Sequence, residues 1–262
     1  MWATVVVVCL AGVAGGIAIW AALNGKTRVV SECRVSVGSS RDVLDLDQAA
    51  NATTISSVGK QLGMPDHAVT IALATALQES RLHNVSYGDR DSVGLFQQRP
   101  SQGWGTRSQI MDPLHASTSF FKALARVPGW QTMSVTDAAQ AVQHSNAPQA
   151  YAVWAPMART LAIAMTGEVP AGLTCQFELT RSKAVPASPS AAMAVVFGPS
   201  TLNTAVPATR GWIIVSWLVG HAEQYRITSV SFAGQQWTPR GGWHSSATSD
   251  PAVHIVQATP AR

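Results

Sequence analysis

The most strongly patterned part of the chain is 67–80, where apolar side chains recur at helical spacing. Val69 and Leu73 lie on one stripe of this segment, and Ile71 lies off it, so the predicted helix is apolar almost all round. That distribution is typical of a helix in the interior of a bundle. Four more helices are predicted from residues that start or stop helices, over 46–63, 109–127, 134–145 and 148–167. A helical domain is therefore expected over 46–178.

The character of the sequence changes after this domain. Alanine, proline and serine dominate most of residues 179–192, which is typical of a linker. Beyond it, β-branched and aromatic residues predict strands, and one amphipathic segment predicts a helix. The predicted strands are 193–198, 227–239 and 252–257, and the predicted helix is 209–225. We expect a small α+β domain over 193–262 and a mainly α fold for the whole chain.

The N-terminal residues form a continuous apolar run rather than a periodic pattern. No charged side chain occurs in 1–25, and Trp2 to Leu23 is almost entirely apolar. Since about 20 apolar residues span a bilayer, the pattern predicts one transmembrane anchor, followed by an irregular lead-in at 26–45. A cleaved signal peptide is the competing interpretation, but it needs a basic start, which is missing here. Lys26 and Arg28 follow the span and would favour a cytoplasmic position for what comes next.

Composition narrows the choice of partners. Hydrophobic residues make up 47% of the chain and charged residues only 12%, with a formal net charge of +4. A positive balance suits an anionic cell wall or a membrane surface. The basic residues are scattered and form no stripe with interleaved aromatics, so binding to nucleic acid is not expected. No Cys or His spacing suggests a metal site, and no cofactor is expected.

Two cysteines bracket the predicted helical domain. Cys33 precedes it and Cys175 lies near its end, while Cys9 falls in the apolar N-terminal run. In an extracytoplasmic protein, a disulfide between Cys33 and Cys175 would join the two ends of the domain. The alternative is two unrelated buried thiols, because free cysteines are commonly buried.

One glutamate stands out against the apolar helix. Glu79 lies at the end of 67–80 beside small alanines, which leaves space for a substrate to approach. The plainer interpretation is a helix-end acid paired with Arg81 or Arg90. A polar loop with Asp89 and Asp91 follows, and cleavage of a glycosidic bond uses one carboxyl as acid and often a second carboxylate. Aspartates are also common in turns on their own account.

These residues carry a resemblance to known enzymes. "ALQES" and "VGLFQQRP" resemble the Glu-Ser and Gly-Leu-Met-Gln hallmarks of lytic transglycosylases, and "YGDRDSVGLFQ" resembles goose-type lysozymes. Residues 33–175 resemble the membrane-anchored lysozyme-like proteins of actinobacteria, with "GDRDSVGLFQQRPSQGWG" and "AYAVW" as signatures. The resemblance implies a helical lysozyme-like domain, Glu79 as the catalytic acid and base, and peptidoglycan as the substrate.

The resemblance and the loop chemistry together give a set of candidate site residues. Asp89 is expected to position a water molecule. The expected substrate-binding residues are Ser80, Tyr87, Gly94, Gln97, Trp104, Gln143 and Tyr151. Transglycosylases usually carry Ala-Tyr-Asn where this chain has Val142-Gln143, so the tyrosine hydroxyl is missing there. The second half of the reaction stays open between capture by the substrate's own hydroxyl, which gives an anhydro-sugar, and hydrolysis.

The expected function is that of a muramidase at the outer face of the cell membrane. It would cleave the β-1,4 bond between N-acetylmuramic acid and N-acetylglucosamine, as a transglycosylase or a hydrolase. The alternative is a non-catalytic component that binds peptidoglycan within an envelope-spanning secretion or conjugation machine. The anchor, the linker and the tail favour the alternative, whereas the Glu79-Ser80 pair favours the enzyme.

Overall fold

Two helices form the centre of the fold in the computed structural model, which describes residues 30–145, 147–179, 188–199 and 201–258. The first, α1, spans Leu46–Gln61 and begins at a capping box, in which Asp45 and Gln48 bond each other's backbone N–H groups. The second, α2, spans Asp66–Ser80 and is buried without a break from Ala68 to Leu77. The continuous burial of α2 explains why its sequence is apolar all round.

Further helices surround this pair. They are α3 (Arg107–Ile110), α4 (Pro113–Leu124), α5 (Val135–Gln143), α6 (Ala155–Met165), α7 (Pro189–Phe197) and α8 (Ala208–Gly220). Short 3-10 helices occupy Pro100–Gln102, Trp130–Thr132 and Pro148–Trp154. Helix α2 packs most extensively on α6 and also contacts α5, while α1 packs on α4 and α8. The C-terminal end of α2 therefore lies beside α5 and the 3-10 helix that precedes α6.

The strands form two antiparallel sheets. The first has the order β2-β1-β3, from Ser40–Leu44, Glu32–Val37 and Leu173–Gln176. The second has the order β6-β5-β4-β7, from Gly242–Ser245, Gln235–Thr238, Ile227–Phe232 and His254–Gln257. Cys33 of β1 lies directly opposite Cys175 of β3, and the two form a disulfide. The disulfide thus joins chain positions that are 142 residues apart.

The prediction of a mainly α fold is wrong. About 46% of the described residues are helical and 17% are in strands, and the strands form the two sheets. The lead-in predicted to be irregular over 26–45 contains the hairpin of β1 and β2. Cys33 and Val35 are buried between more exposed neighbours, which is the two-residue period of a strand, and Gly38 turns the chain with a φ of 55°.

In the C-terminal part of the chain, one predicted strand is wrong, and the other predicted elements agree in outline with the structure. Residues 193–197 of the segment predicted as a strand belong to helix α7, and Gly198 follows the end of the helix. Ser188 accepts a hydrogen bond from the backbone N–H of Ala191 and Pro189 stands at the first helical position, so local capping overrides the β-propensity of Val195 and Val196. Strands do occupy 227–232, 235–238 and 254–257, as predicted in outline, and α8 overlaps the predicted helix over 209–220.

The predicted anchor over 1–25 lies outside the described residues. None of the helices in the described ranges has the length and apolar character needed to cross a membrane. The central part of the predicted linker, residues 180–187, also lies outside them.

Contacts join the two sides of the predicted linker. The Ser216 hydroxyl of α8 donates to the Ala164 carbonyl of α6 at 3.2 Å, and the Trp243 indole of β6 donates to the Leu173 carbonyl of β3 at 2.8 Å. The described residues from 31 to 258 accordingly form one compact unit. The division into domains at 46–178 and 193–262 stays a prediction.

Candidate active site

The carboxyl group of Glu79 lies in the last turn of α2 and is held from one side. The hydroxyl of Tyr151 donates a hydrogen bond to Glu79 Oε1 at 2.7 Å. Tyr151 belongs to the 3-10 helix before α6 and has 0% of its surface exposed. The other carboxyl oxygen, Oε2, accepts no hydrogen bond from any residue in the described ranges. Glu79 is therefore fixed through one oxygen and half-buried, with the second oxygen unused.

The hydroxyl of Tyr151 is a permanent donor. Burial, reinforced by the negative charge and hydrogen bond of Glu79, holds the pKa of Tyr151 well above its usual value. Tyr151 was expected to bind substrate, but a fully buried ring has no face for a sugar to stack on. Its position makes it a support for Glu79.

Ser80 and Gln143 fix the loop that faces the end of α2. The Ser80 hydroxyl donates to the Leu95 carbonyl at 2.8 Å, and the Gln143 amide donates to the Phe96 carbonyl at 2.8 Å. Consecutive carbonyls of the Gly-Leu-Phe-Gln motif are thus anchored by α2 and by α5. The structure brings Glu79, Ser80 and Gln143 together around one short stretch of backbone.

Gly94 and Gln97 serve the internal packing of the same loop. Gly94 has a φ of 80°, and a Cβ there would lie 2.8 Å from the Ile110 carbonyl oxygen, so the close approach is to protein backbone. The Gln97 amide donates to the carbonyls of Tyr87 and Gly94 at 3.3 and 3.2 Å. Their expected contacts with substrate stay predictions, because each of the described contacts is with another part of the protein.

The two aspartates of the loop differ sharply. Asp91 accepts hydrogen bonds from Arg99 Nε at 2.7 Å and from the Ser101 backbone N–H at 2.8 Å. The bonds from Arg99 and Ser101 hold the pKa of Asp91 well below its usual value. Asp89 has a side chain that is 92% exposed, and its charge partner is its neighbour Arg90 at 3.8 Å. Asp91 therefore closes the loop, whereas nothing in the described structure holds Asp89 in one position.

The remaining expected aromatics lie at different depths. Tyr87 is 74% exposed at the loop surface. Trp104 is partly buried and lines a groove of about 810 Å³. Gln143, whose amide holds the Phe96 carbonyl, lines the same groove. The groove therefore begins beside the loop that Ser80 and Gln143 anchor.

Some neighbours of Glu79 were not predicted to belong to the site. The Trp154 indole donates to Gln78 Oε1 at 2.9 Å, and the Arg81 guanidinium lies 3.9 Å from the centre of the Trp154 ring. These contacts brace the 3-10 helix that carries Tyr151 against the end of α2. The signature "AYAVW" contains Tyr151 and Trp154, but no spacing rule shows that both side chains turn back toward residues 78–81.

Within the described ranges, no three His, Cys, Asp or Glu side chains come together in a way that could hold a metal ion. Comparison of the chain with protein-family models gives no match, and comparison with curated proteins gives none either.

Proposed function

We propose that the protein cleaves the glycan strands of peptidoglycan with Glu79 as the general acid and base. The observation that carries the proposal is the half-buried Glu79 carboxyl, fixed by the buried Tyr151 hydroxyl at 2.7 Å and unused at Oε2. A carboxyl held through one oxygen leaves the other free to meet the glycosidic oxygen. The resemblance of "ALQES" and "VGLFQQRP" to lytic transglycosylases supports the choice of peptidoglycan as the substrate.

In the proposed reaction, protonated Glu79 gives its proton to the glycosidic oxygen between N-acetylmuramic acid and N-acetylglucosamine. The bond to the anomeric carbon of the muramic residue breaks, and an oxocarbenium-like centre forms. The Glu79 carboxylate then accepts a proton from the nucleophile that attacks this carbon. Tyr151 keeps its hydrogen bond to Oε1 throughout, because its hydroxyl stays protonated.

The exposure of Asp89 favours the substrate's own hydroxyl as that nucleophile. A hydrolase with two carboxyl groups needs the second one in a fixed place beside the attacked carbon. Asp89 is 92% exposed and its charge partner is its neighbour Arg90, so it lacks that support. We therefore favour the lytic transglycosylase reaction, whose product ends in a 1,6-anhydro sugar.

The test is release of soluble muropeptides from purified sacculi. Glu79→Gln should lower the rate by at least about a hundredfold, since general acid–base groups contribute on that order or more. Glu223→Gln is the matched control, because Glu223 is also partly buried and the same charge is removed. Unchanged release by Glu79→Gln would overturn the proposal. Binding of the wild-type protein to sacculi without any release would support the wall-binding alternative.

A further inference from the structure

The groove beside α4 and α5 carries positive charge that the protein itself does not neutralise. Lys122 lies in the last turn of α4 and Arg126 lies one turn further on, and both line the groove. Both side chains are exposed, and neither forms an ion pair or a hydrogen bond with a residue in the described ranges. Among the residues that the structure describes, no acidic one lines the groove. A ligand in this groove would therefore meet two unpaired cations.

The rest of the lining suits a sugar. Trp104 offers a large apolar ring, and carbohydrate rings pack on such surfaces while polar groups fix their orientation. Gln102, Gln143 and His144 add groups that can donate or accept hydrogen bonds. The combination of an indole, amides and unpaired cations matches a sugar that carries an anionic group.

Two hydrogen bonds to adjacent carbonyls relate the groove to Ser80, the residue next to Glu79. Gln143, at the rim, holds the Phe96 carbonyl, and Ser80, next to Glu79, holds the adjacent Leu95 carbonyl. A glycan strand whose bond is cleaved at Glu79 would extend along this stretch of backbone toward Trp104.

We infer that this groove binds a carboxylate-bearing part of the glycan strand, with Lys122 and Arg126 contacting the carboxylate. The inference rests on the proposed function for the identity of the ligand. Carboxylates on peptidoglycan have two sources, the peptide stem and the lactyl group of muramic acid once the peptide is removed. A neutral β-1,4 glycan of N-acetylglucosamine has neither, so the groove would discriminate between the two kinds of strand.

The experiment measures binding without cleavage, in the full chain with Glu79→Gln. Three ligands are compared: peptide-bearing strands, strands stripped of peptide by an amidase, and oligomers of N-acetylglucosamine. The test variant adds Lys122→Gln and Arg126→Gln. The control variant adds Arg34→Gln and Arg240→Gln instead, which removes the same charge from exposed side chains of β1 and of the turn after β5.

The test variant should bind one or both carboxylate-bearing ligands on the order of tenfold more weakly, with a smaller dependence on salt. Loss on peptide-bearing strands alone identifies the stem carboxylates, and loss on both identifies the lactyl position as well. The neutral oligomers and the control variant should change by less than about twofold. An equal loss on all ligands, no loss on either anionic one, or no binding of any ligand by the parent protein overturns the inference.

Cleavage by the wild-type chain is measured separately, so the two proposals fail independently. Binding in the expected pattern without release of muropeptides would support the inference about the groove and contradict the proposed enzyme activity. Cleavage without discrimination between the ligands would support the proposed enzyme activity and contradict the inference about the groove.

Discussion

Glu79 and His221 are two titratable groups set among packed helices, and they differ in how completely the protein uses them. His221 follows α8, where Nδ1 donates to the Trp217 carbonyl at 2.9 Å and Nε2 accepts from the Thr54 hydroxyl at 3.3 Å. Its ring stacks on Trp217 with centroids 4.1 Å apart. Glu79 is held through Oε1 by Tyr151, and Oε2 has no partner in the described ranges.

This difference distinguishes His221, whose role is structural, from Glu79, which is the candidate catalytic residue. Both ring nitrogens of the buried His221 are satisfied, so the residue has nothing left to offer a ligand. Glu79 has an orientation fixed by Tyr151 and one carboxyl oxygen that no residue in the described ranges uses. His221 is the more deeply buried of the two residues, but Glu79 is the one with an atom that no described protein group uses.

Among the tests of this comparison, the largest expected effect is the change in the free energy of unfolding with pH that His221 causes. Burial lowers the pKa of His221 to about 4, against 6.5 for the unperturbed group. Between these values the unfolded chain binds a proton that the folded chain does not. Stability is therefore complete above pH 6.5, and the free energy of unfolding should fall by up to about 3 kcal/mol as pH falls toward 4.

Denaturant unfolding at pH 7.5 and pH 4.5 measures this fall. His221→Gln should lower stability at both pH values and should lose most of the pH-dependent part. The comparison between variant and wild type cancels the titration of carboxylates. An identical pH dependence in the two proteins would show that His221 is not the group responsible.

The next effect concerns the support of Glu79. Tyr151→Phe removes the donor to Oε1 while it keeps the buried ring. A hydrogen bond to a charged group contributes about 1.5–3 kcal/mol, so the rate of cleavage should fall about 10- to 100-fold. Turnover should change more than the Michaelis constant, because Tyr151 does not reach the substrate. Tyr225→Phe, at a ring that packs on Trp217 and His221, is the control and should leave turnover unchanged.

The smallest effect is expected at Asp89. Its side chain is exposed and unsupported, so Asp89→Asn should leave the rate of cleavage within about twofold and should not change the product. A large loss of rate would mean that Asp89 moves into the site when the glycan binds. Such a loss would make the hydrolase interpretation the better one.

The sequence predicts the position of Glu79 better than it predicts the surroundings of Glu79. The apolar run of α2 and the position of Glu79 at its end can be predicted from the sequence, because a helix that is buried along its whole length is apolar on all its faces. The Tyr151 contact is not visible, since it joins residues 72 positions apart through the path of a 3-10 helix. The β1-β2 hairpin did leave a signal, the alternation at Cys33 and Val35 before Gly38, and the prediction of an irregular lead-in over 26–45 overlooked it.

Capping accounts for the clearest error in the C-terminal part. The run at 193–198 has strand-like composition, but Ser188 and Pro189 start a helix and Gly198 follows its end. Short apolar runs are ambiguous by periodicity, so residues at their ends decide. The role of Asp91 was equally hidden, because its partners Arg99 and Ser101 meet it only after the loop closes.

Mass spectrometry of the muropeptides released from sacculi tests the central claim most directly. The wild-type chain is predicted to release products that end in 1,6-anhydro-N-acetylmuramic acid, and Glu79→Gln is predicted to release none above background. Equal release by Glu79→Gln, or no release by the wild-type chain, would contradict the assignment of Glu79 as the catalytic acid.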